Sequence, residues 1–255
     1  MLSLSQNVLL LLITCLLSLV FTLALTRIWP YEKRQNQNDL IGWQLSILGT
    51  IYAVILGFML YAVWNEFGEA TLNANLEASS LRNVYRLAGG LPARPQKELQ
   101  SEAEAYAAAV ISDDWPAMAQ GQLPDASHKI NEHMWVTLMS VKESSTSENT
   151  AEDHAISELS EMTTRRRTRL VQSTTRLPTI LWCVLLVGGL LTLLSVNMFG
   201  SKNPKLHAFQ VFSLTLLITL VMLAIEDVNR PFQGWVHVSN YPFVRAQETM
   251  HDLGD

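Results

Sequence analysis

The sequence predicts an all-α integral membrane protein with four transmembrane helices and a helical cytoplasmic insert between the second and the third. Of the 255 residues, 49% are hydrophobic, and the chain contains four long uncharged runs. The stretch between the second and third runs is polar and has apolar residues at helical spacing, without the alternation that is typical of strands. An arginine-rich segment near the third run indicates the orientation.

All four runs are long enough to cross a bilayer. A helix rises about 1.5 Å per residue and needs roughly 20 apolar residues to span the hydrocarbon core. Charged residues limit the runs: the first lies before Arg27, the second between Asp39 and Glu66, the third between Arg176 and Lys202, and the fourth between Lys205 and Glu226.

The first run, with its apolar part at residues 8–24, could be a transmembrane helix or a cleaved signal peptide. Residues 1–7 contain no Lys or Arg, and the end of the run, TLALTRIWP, has no clear A-x-A cleavage site. Both features favour a retained helix.

Positive charges on the two sides of the spans predict which side faces the cytoplasm. The two short connections carry Lys33, Arg34, Lys202 and Lys205. The insert side is more densely basic near the third run, with Arg165, Arg166, Arg167, Arg169 and Arg176. Because Lys and Arg close to span ends favour the cytoplasm, we expect both termini and the insert to lie there.

The insert, residues 65–177, is expected to form four helices. The first continues the second span as far as Gly89-Gly90, the second ends before Asp114, and the fourth begins near Ala151 after a polar loop at residues 144–150. Pro178 is expected to kink the entry into the third span. The predicted buried faces are Leu81, Val84, Tyr85 and Ala88; then Leu99, Ala103, Tyr106 and Val110; then Ile130, Met134, Leu138 and Val141; and finally Ile156, Leu159 and Met162.

Several function classes are disfavoured by composition and motifs. The net charge of −5 argues against a nucleic-acid partner, since phosphate binding needs a basic surface. There is no glycine-rich phosphate loop, GxSxG or HExxH motif, and no His, Cys or acidic residues at metal-ligand spacing. We therefore expect neither an enzyme nor a bound metal or cofactor.

The second span carries a stripe of small and weakly polar residues, Ser46, Thr50, Ala53, Gly57 and Tyr61, at spacings of three or four. Spacing alone favours a packing face against another helix. The alternative is a pore face, with Thr50, Ala53, Gly57, Leu60 and Tyr61 lining the path and the carboxylates of Glu66 and Glu69 forming an acidic mouth.

The fourth span ends in AIEDVNRPFQGW, where Glu226 or Asp227 is spaced to pair with Arg230. The following Pro, Gly and Trp predict a shaped turn at the membrane surface. The expected domains are thus residues 1–64 with spans one and two, 65–177 as the insert, 178–228 with spans three and four, and 229–255 as an interfacial segment and C-terminal tail.

Three segments resemble a bacterial membrane-protein family that has no assigned activity and is described as bestrophin-like. They are LEASSLRNVYRLAGGLP, AYAAAVISDDWPAMAQG and NRPFQGWVHVSNYPF, and the resemblance extends from Trp43 to Gln247. It implies a homo-oligomeric ion channel of the bacterial inner membrane, distantly similar to bestrophins, whose second span lines a central pore.

If the chain conducts, its partners are the lipid bilayer, further copies of itself and inorganic ions. An acidic mouth favours cations, because it raises their local concentration. The alternative is a non-conducting signalling or scaffold protein that is anchored by the spans and binds a partner through the insert.

Overall fold

The computed structural model of the protein describes residues 4–142 and 145–254, and in these residues every regular element is a helix. The predicted all-α fold is confirmed. The helices are α1 (Leu4–Ile28), α2 (Tyr31–Gln35), α3 (Asn38–Ala88), α4 (Ala93–Ala109), α5 (Trp115–Ala119), α6 (Ala126–Met139), α7 (Thr146–Thr174), α8 (Thr179–Met198), α9 (Pro204–Val228) and α10 (Tyr241–Gly254), and a π-helical turn, Val110–Asp114, joins α4 to α5.

Among the described residues, four helices are long and apolar enough to cross a membrane, as predicted. They are α1, α3, α8 and α9. The second of them, α3, is a single helix of 51 residues that runs from the apolar segment into the insert without interruption. The end predicted at Gly89-Gly90 is confirmed, since the last helical residue is Ala88.

The chain divides into two compact units. We call residues up to 64 together with 176–229 the membrane unit, and residues 65–175 together with 230–254 the insert unit. The C-terminal segment thus differs from our expectation of a separate interfacial tail. Its apolar residues Phe232, Val238, Phe243, Ala246 and Met250 are buried in the core of the insert unit, which accounts for its position.

Within the membrane unit, polar side chains hold α1 against its neighbours. The Ser18 and Thr215 hydroxyls of α1 and α9 are 2.8 Å apart, and those of Thr14 and Thr219 are 3.4 Å apart. The Thr22 hydroxyl donates to the Asn197 side chain of α8 at 2.6 Å. Such interhelical hydrogen bonds commonly stabilise helix association in lipid, where burial of apolar surface does not favour association.

The membrane half of α3 meets α8 where Tyr52 lies over Gly188 and Gly189. The Tyr52 hydroxyl donates to the backbone carbonyl of Leu185 at 3.0 Å. A Cβ atom added to Gly188 would lie 2.6 Å from Tyr52 Cδ2, and one added to Gly189 would lie 2.8 Å from the phenol oxygen. The two glycines therefore form the notch that this ring fills.

The core of the insert unit contains most of the predicted apolar faces. On α3, Leu81, Val84, Tyr85 and Ala88 are buried, so that face is confirmed. The same holds for Leu99, Ala103, Tyr106 and Val110, for Met134 and Leu138, and for Leu159 and Met162. Ile130 and Ile156 pack partly buried against this core, whereas Val141 lies beyond the end of α6.

Some predicted boundaries are wrong. Helix α7 begins at Thr146, not near Ala151, because Ser145 and Glu148 form a capping box: the Glu148 carboxylate accepts from the Ser145 amide at 2.8 Å, and the Ser145 hydroxyl accepts from the Glu148 amide at 3.3 Å. Ser144 of the predicted loop lies outside the described residues. Pro178 does not kink a continuous helix. It precedes α8 after a break at residues 175–178.

Candidate functional site

The five predicted pore residues lie on the membrane half of α3, largely free of contacts within one chain. Thr50, Ala53, Gly57 and Tyr61 are exposed, and Leu60 is half-buried. A Cβ atom added to Gly57 would meet nothing within 4 Å. The Thr50 hydroxyl donates to the Ser46 carbonyl of its own helix at 2.7 Å, so its donor is already used. This part of α3 is thus open to lipid, to another copy or to water.

The five residues do not all line the same groove. Ala53, Gly57 and Leu60 line an apolar groove of about 480 Å³ that residues of α8 and α9, such as Val196 and Leu217, also border. Gly57 and Tyr61 line another groove, of about 470 Å³, with Val54 and Phe58. Gly57 is therefore the predicted residue that both grooves have in common.

The predicted acidic mouth consists of one exposed and one half-buried carboxylate. Glu69 is exposed, and its carboxylate accepts from the Asn65 amide of the preceding turn at 2.8 Å. Glu66 is half-buried. At the end of α9, Asp227 is buried and Glu226 is half-buried. The ion pair of these acids with Arg230 stays a prediction.

The most extensive polar constellation in the described structure is a buried ionic centre in the insert unit, formed by Glu77, Asp114 and Arg169. The side chains of all three are fully buried. The Arg169 guanidinium donates to both Glu77 oxygens, at 2.8 Å from Nε and 3.0 Å from Nη2. It also donates to Asp114 Oδ2 at 3.1 Å. A cation is thus enclosed between two carboxylates.

Two hydroxyl groups also donate hydrogen bonds to the carboxylates of the ionic centre, and a second arginine donates to one of these hydroxyls. The Tyr106 hydroxyl donates to Glu77 Oε1 at 2.7 Å, and the Ser127 hydroxyl donates to Asp114 Oδ2 at 2.6 Å. Arg166 Nε donates in turn to the Ser127 oxygen at 2.9 Å. The network therefore joins α3, α4, the π-helical turn, α6 and α7.

Aromatic rings close the centre on one side. The Arg169 guanidinium carbon lies 5.3 Å from the Trp115 ring centre and 5.9 Å from that of Phe243, distances at which a cation is attracted to a ring face. Trp115 also contacts Phe232 edge-on, with ring centres 5.5 Å apart, and its indole N–H donates to the Val238 carbonyl at 2.9 Å. The C-terminal segment thus supplies part of the wall.

The electrostatics of the centre favour one protonation state. Burial by itself lowers the pKa of Arg169, but the adjacent Glu77 carboxylate, Tyr106 and Asp114 outweigh it and hold that pKa above its ordinary value. Burial, and then the Glu77 charge, raise the pKa of Tyr106. At neutral pH the guanidinium therefore keeps its charge and the phenol its proton, an arrangement suited to positioning helices rather than to transferring protons.

Sequence reasoning missed this centre, although its residues lie in the segments that it had singled out. Glu77 is in LEASSLRNVYRLAGGLP, Tyr106, Asp114 and Trp115 are in AYAAAVISDDWPAMAQG, and Phe243 ends NRPFQGWVHVSNYPF. A usable signal was the place of Glu77 on an apolar face, one turn from Ala74 and Leu81. Among the residues that the structure describes, no three His, Cys, Asp or Glu side chains are grouped to hold a metal ion.

Comparison with known proteins finds a matching family model and solved structures of similar fold. Residues 12–243 match the model of the Bestrophin-like domain. The fold is similar to that of a bacterial Bestrophin homolog from Klebsiella pneumoniae whose structure was solved with zinc phasing: the TM-score is 0.73 at 15% identity, covering 95% of this chain and 97% of that one. A single-substitution variant of that homolog gives a TM-score of 0.75 at 14% identity, covering 95% and 98%. No curated protein matches the sequence.

Proposed function

Because this chain belongs to the Bestrophin-like family, we propose that it assembles into an oligomeric ion channel in a bacterial inner membrane, with α3 lining a central pore. Family membership supports the channel class. The pore-lining role of α3 is a more specific claim than the channel class, and it depends on the geometry of this chain.

The observation that carries the proposal is the exposure of the membrane half of α3. Thr50, Ala53, Gly57 and Tyr61 are exposed there, at spacings of three or four along one helix. Several copies of this helix around an axis would place these side chains along a common path. Small and hydroxyl-bearing residues leave room for water and ions there, whereas large apolar side chains would narrow it.

The carboxylates of Glu66 and Glu69 support a preference for cations. They follow Tyr61 on the same helix, so each added copy contributes two more negative charges at the same level. A ring of such charges raises the local concentration of cations, and salt screens the effect over about 10 Å at 0.1 M. In this proposal the insert unit and both chain termini are cytoplasmic.

The first test is ion flux through reconstituted protein. Gly57→Leu should reduce the flux severalfold while the chain still folds, because a Cβ atom added at this position meets nothing within 4 Å in the chain itself. The oligomer size is measured alongside, since a changed size with unaltered flux per assembly would identify Gly57 as a packing residue instead.

The second variant neutralises both acids, with Glu66→Gln and Glu69→Gln combined. Cation flux should fall, most strongly at low salt, where screening is weak. The matched control is Glu104→Gln with Asp153→Asn, two exposed acids of α4 and α7. If wild-type protein assembles but passes no ions, the channel is excluded and a membrane-anchored scaffold becomes the better account.

A further inference from the structure

A buried cluster of polar groups occupies the end of the membrane unit where α1 and α8 finish and α9 begins. Arg34, on α2, is 1% exposed. Its Nη1 donates to the Asn197 carbonyl at 2.9 Å, and its Nη2 donates to the Thr26 hydroxyl at 3.2 Å. Asn197 is in the last turn of α8, so the guanidinium satisfies a free carbonyl at the negative end of that helix.

The backbone around this guanidinium is tightly packed. A Cβ atom added to Gly200 would lie 2.6 Å from the Gln35 amide nitrogen. The Asn38 side chain makes two hydrogen bonds with the Gly200 backbone, donating to its carbonyl and accepting from its amide, each at 2.8 Å. The connection after α8 is thus fixed to the segment that carries Arg34, and a shift of one displaces the other.

His207 is the second titratable group of the cluster. It lies in the first turn of α9, is 4% exposed, and interacts with both the Asn197 backbone and the charge of Arg34. Its Nε2 atom and the Nε atom of Arg34 are buried without a hydrogen-bond partner among the described residues. Two groups that can carry positive charge therefore both lie against the end of α8 at Asn197.

In the described part of the chain, the groups recorded as acting on the His207 imidazole include no carboxylate. The pairing of Thr14 with Thr219 and of Ser18 with Thr215 sets an antiparallel register between α1 and α9, which places Thr26 opposite His207. From α2 comes Arg34, and from α8 the Asn197 backbone. The charged residues of the adjoining segments are exposed and of both signs: Arg27, Lys33, Lys202 and Lys205 are basic, and Glu32 and Asp39 are acidic.

We propose that Arg34, Asn197 and His207 form an acid-sensitive clamp of the membrane unit. Proton uptake by His207 creates a second positive charge beside the Arg34 guanidinium, and repulsion releases Arg34 from the end of α8. The segment of residues 28–38 and the connection at residues 197–205 then loosen together. This device is independent of whether the chain conducts ions.

The first experiment compares thermal unfolding of the whole detergent-solubilised protein at about pH 7.5 and about pH 5, which bracket the ordinary titration of histidine. Wild type should lose several degrees on acidification. His207→Gln keeps a neutral polar side chain and should lose at least about 4 °C less, a shift that corresponds to roughly 1–2 kcal/mol for a chain of this size. His154→Gln, which alters an exposed histidine of the insert unit, should behave like wild type.

A second variant and a second measurement cover the case in which His207→Gln does not fold. Arg34→Gln retains a hydrogen-bond donor but removes the charge, so its acid sensitivity should also be smaller than that of wild type. In wild type, amide hydrogen exchange corrected for the intrinsic effect of pH should speed up at residues 28–38 and 197–205 on acidification. Equal losses of melting temperature in wild type and both variants, or unchanged exchange in these segments, would overturn the proposal.

Discussion

Arg169 shows how much of the insert unit depends on one buried charge. Removing a guanidinium from water costs several kcal/mol, which is recovered only when hydrogen bonds and opposite charges are well placed. Here two carboxylates, two aromatic rings and a Met118 sulfur contact satisfy it. Loss of one partner would leave the remaining charges buried and unmatched, so the centre behaves as a unit rather than as separate pairs.

The residue-scale prediction concerns Arg169→Met. Breaking a buried ion pair from one side costs about 3–5 kcal/mol, so the melting temperature in detergent should fall by at least about 6 °C. Arg167→Met, which removes an exposed arginine two positions earlier, is the matched control and should change little. Equal melting temperatures for the two variants would mean that the centre contributes nothing to stability.

Sequence alone could not separate Arg169 from its neighbours. All the arginines between positions 165 and 176 contribute to the same charge pattern, and that pattern was sufficient to predict an orientation. Which of them turns inward depends on how α3, α4, α6 and α7 pack, a long-range property. Glu77 was more accessible to prediction, because an acid on an otherwise apolar helical face needs a partner.

At the scale of elements, the crossing of α3 and α8 depends on a ring in a glycine notch. Small residues in a span are typical packing sites, and Gly188-Gly189 is such a site. What the sequence alone could not supply was the partner, since Tyr52 is more than a hundred residues earlier in the chain. The same holds for α10, whose strong amphipathic pattern indicates a buried face but not the unit that covers it.

The element-scale prediction uses two glycines of the membrane unit. Gly188→Ala should lower the melting temperature, because the added Cβ lies 2.6 Å from Tyr52 Cδ2 and the ring has to move. Gly49→Ala is the control: nothing lies within 4 Å of its added Cβ, and alanine is better than glycine in a helix by up to about 1 kcal/mol. A neutral effect of Gly188→Ala would show that the ring shifts without cost.

Helix ends were less predictable than helix faces. The existence of α7 followed from its apolar spacing, but its start depended on a capping box of two side chains, Ser145 and Glu148. The S-x-x-E pattern was present in the sequence, within a segment polar enough to resemble a loop. Likewise, the chain continues from α4 into α5 through a π-helical turn, Val110–Asp114, that no simple spacing rule indicates.

For the whole molecule, four spans and an all-α fold were predictable because hydrocarbon admits few alternatives. The side on which the insert lies is a separate matter. The predicted side depends on the numbers of Lys and Arg residues near the span ends on each side of the membrane, and a topology experiment tests it.

The topology experiment places single cysteines in a Cys183→Ser background, since Cys183 is exposed and Cys15 is buried. Thr146→Cys, at the exposed start of α7, should resist membrane-impermeant thiol reagents in intact cells and react after permeabilisation. Lys202→Cys, in the connection between α8 and α9, should react from outside. The reverse labelling pattern would invert the orientation.

The burial of the C-terminal segment in the insert unit has a consequence for biosynthesis. Trp115 and the ionic centre emerge from the ribosome well before Phe232, Val238 and Phe243, which cover them in the finished fold. The intervening chain includes both later spans, so these must be translated first. Throughout that interval the nascent insert unit exposes an unfinished apolar surface. Closure of this core therefore requires translation through Phe243, and chains that stop before this residue remain recognisable to chaperones and proteases.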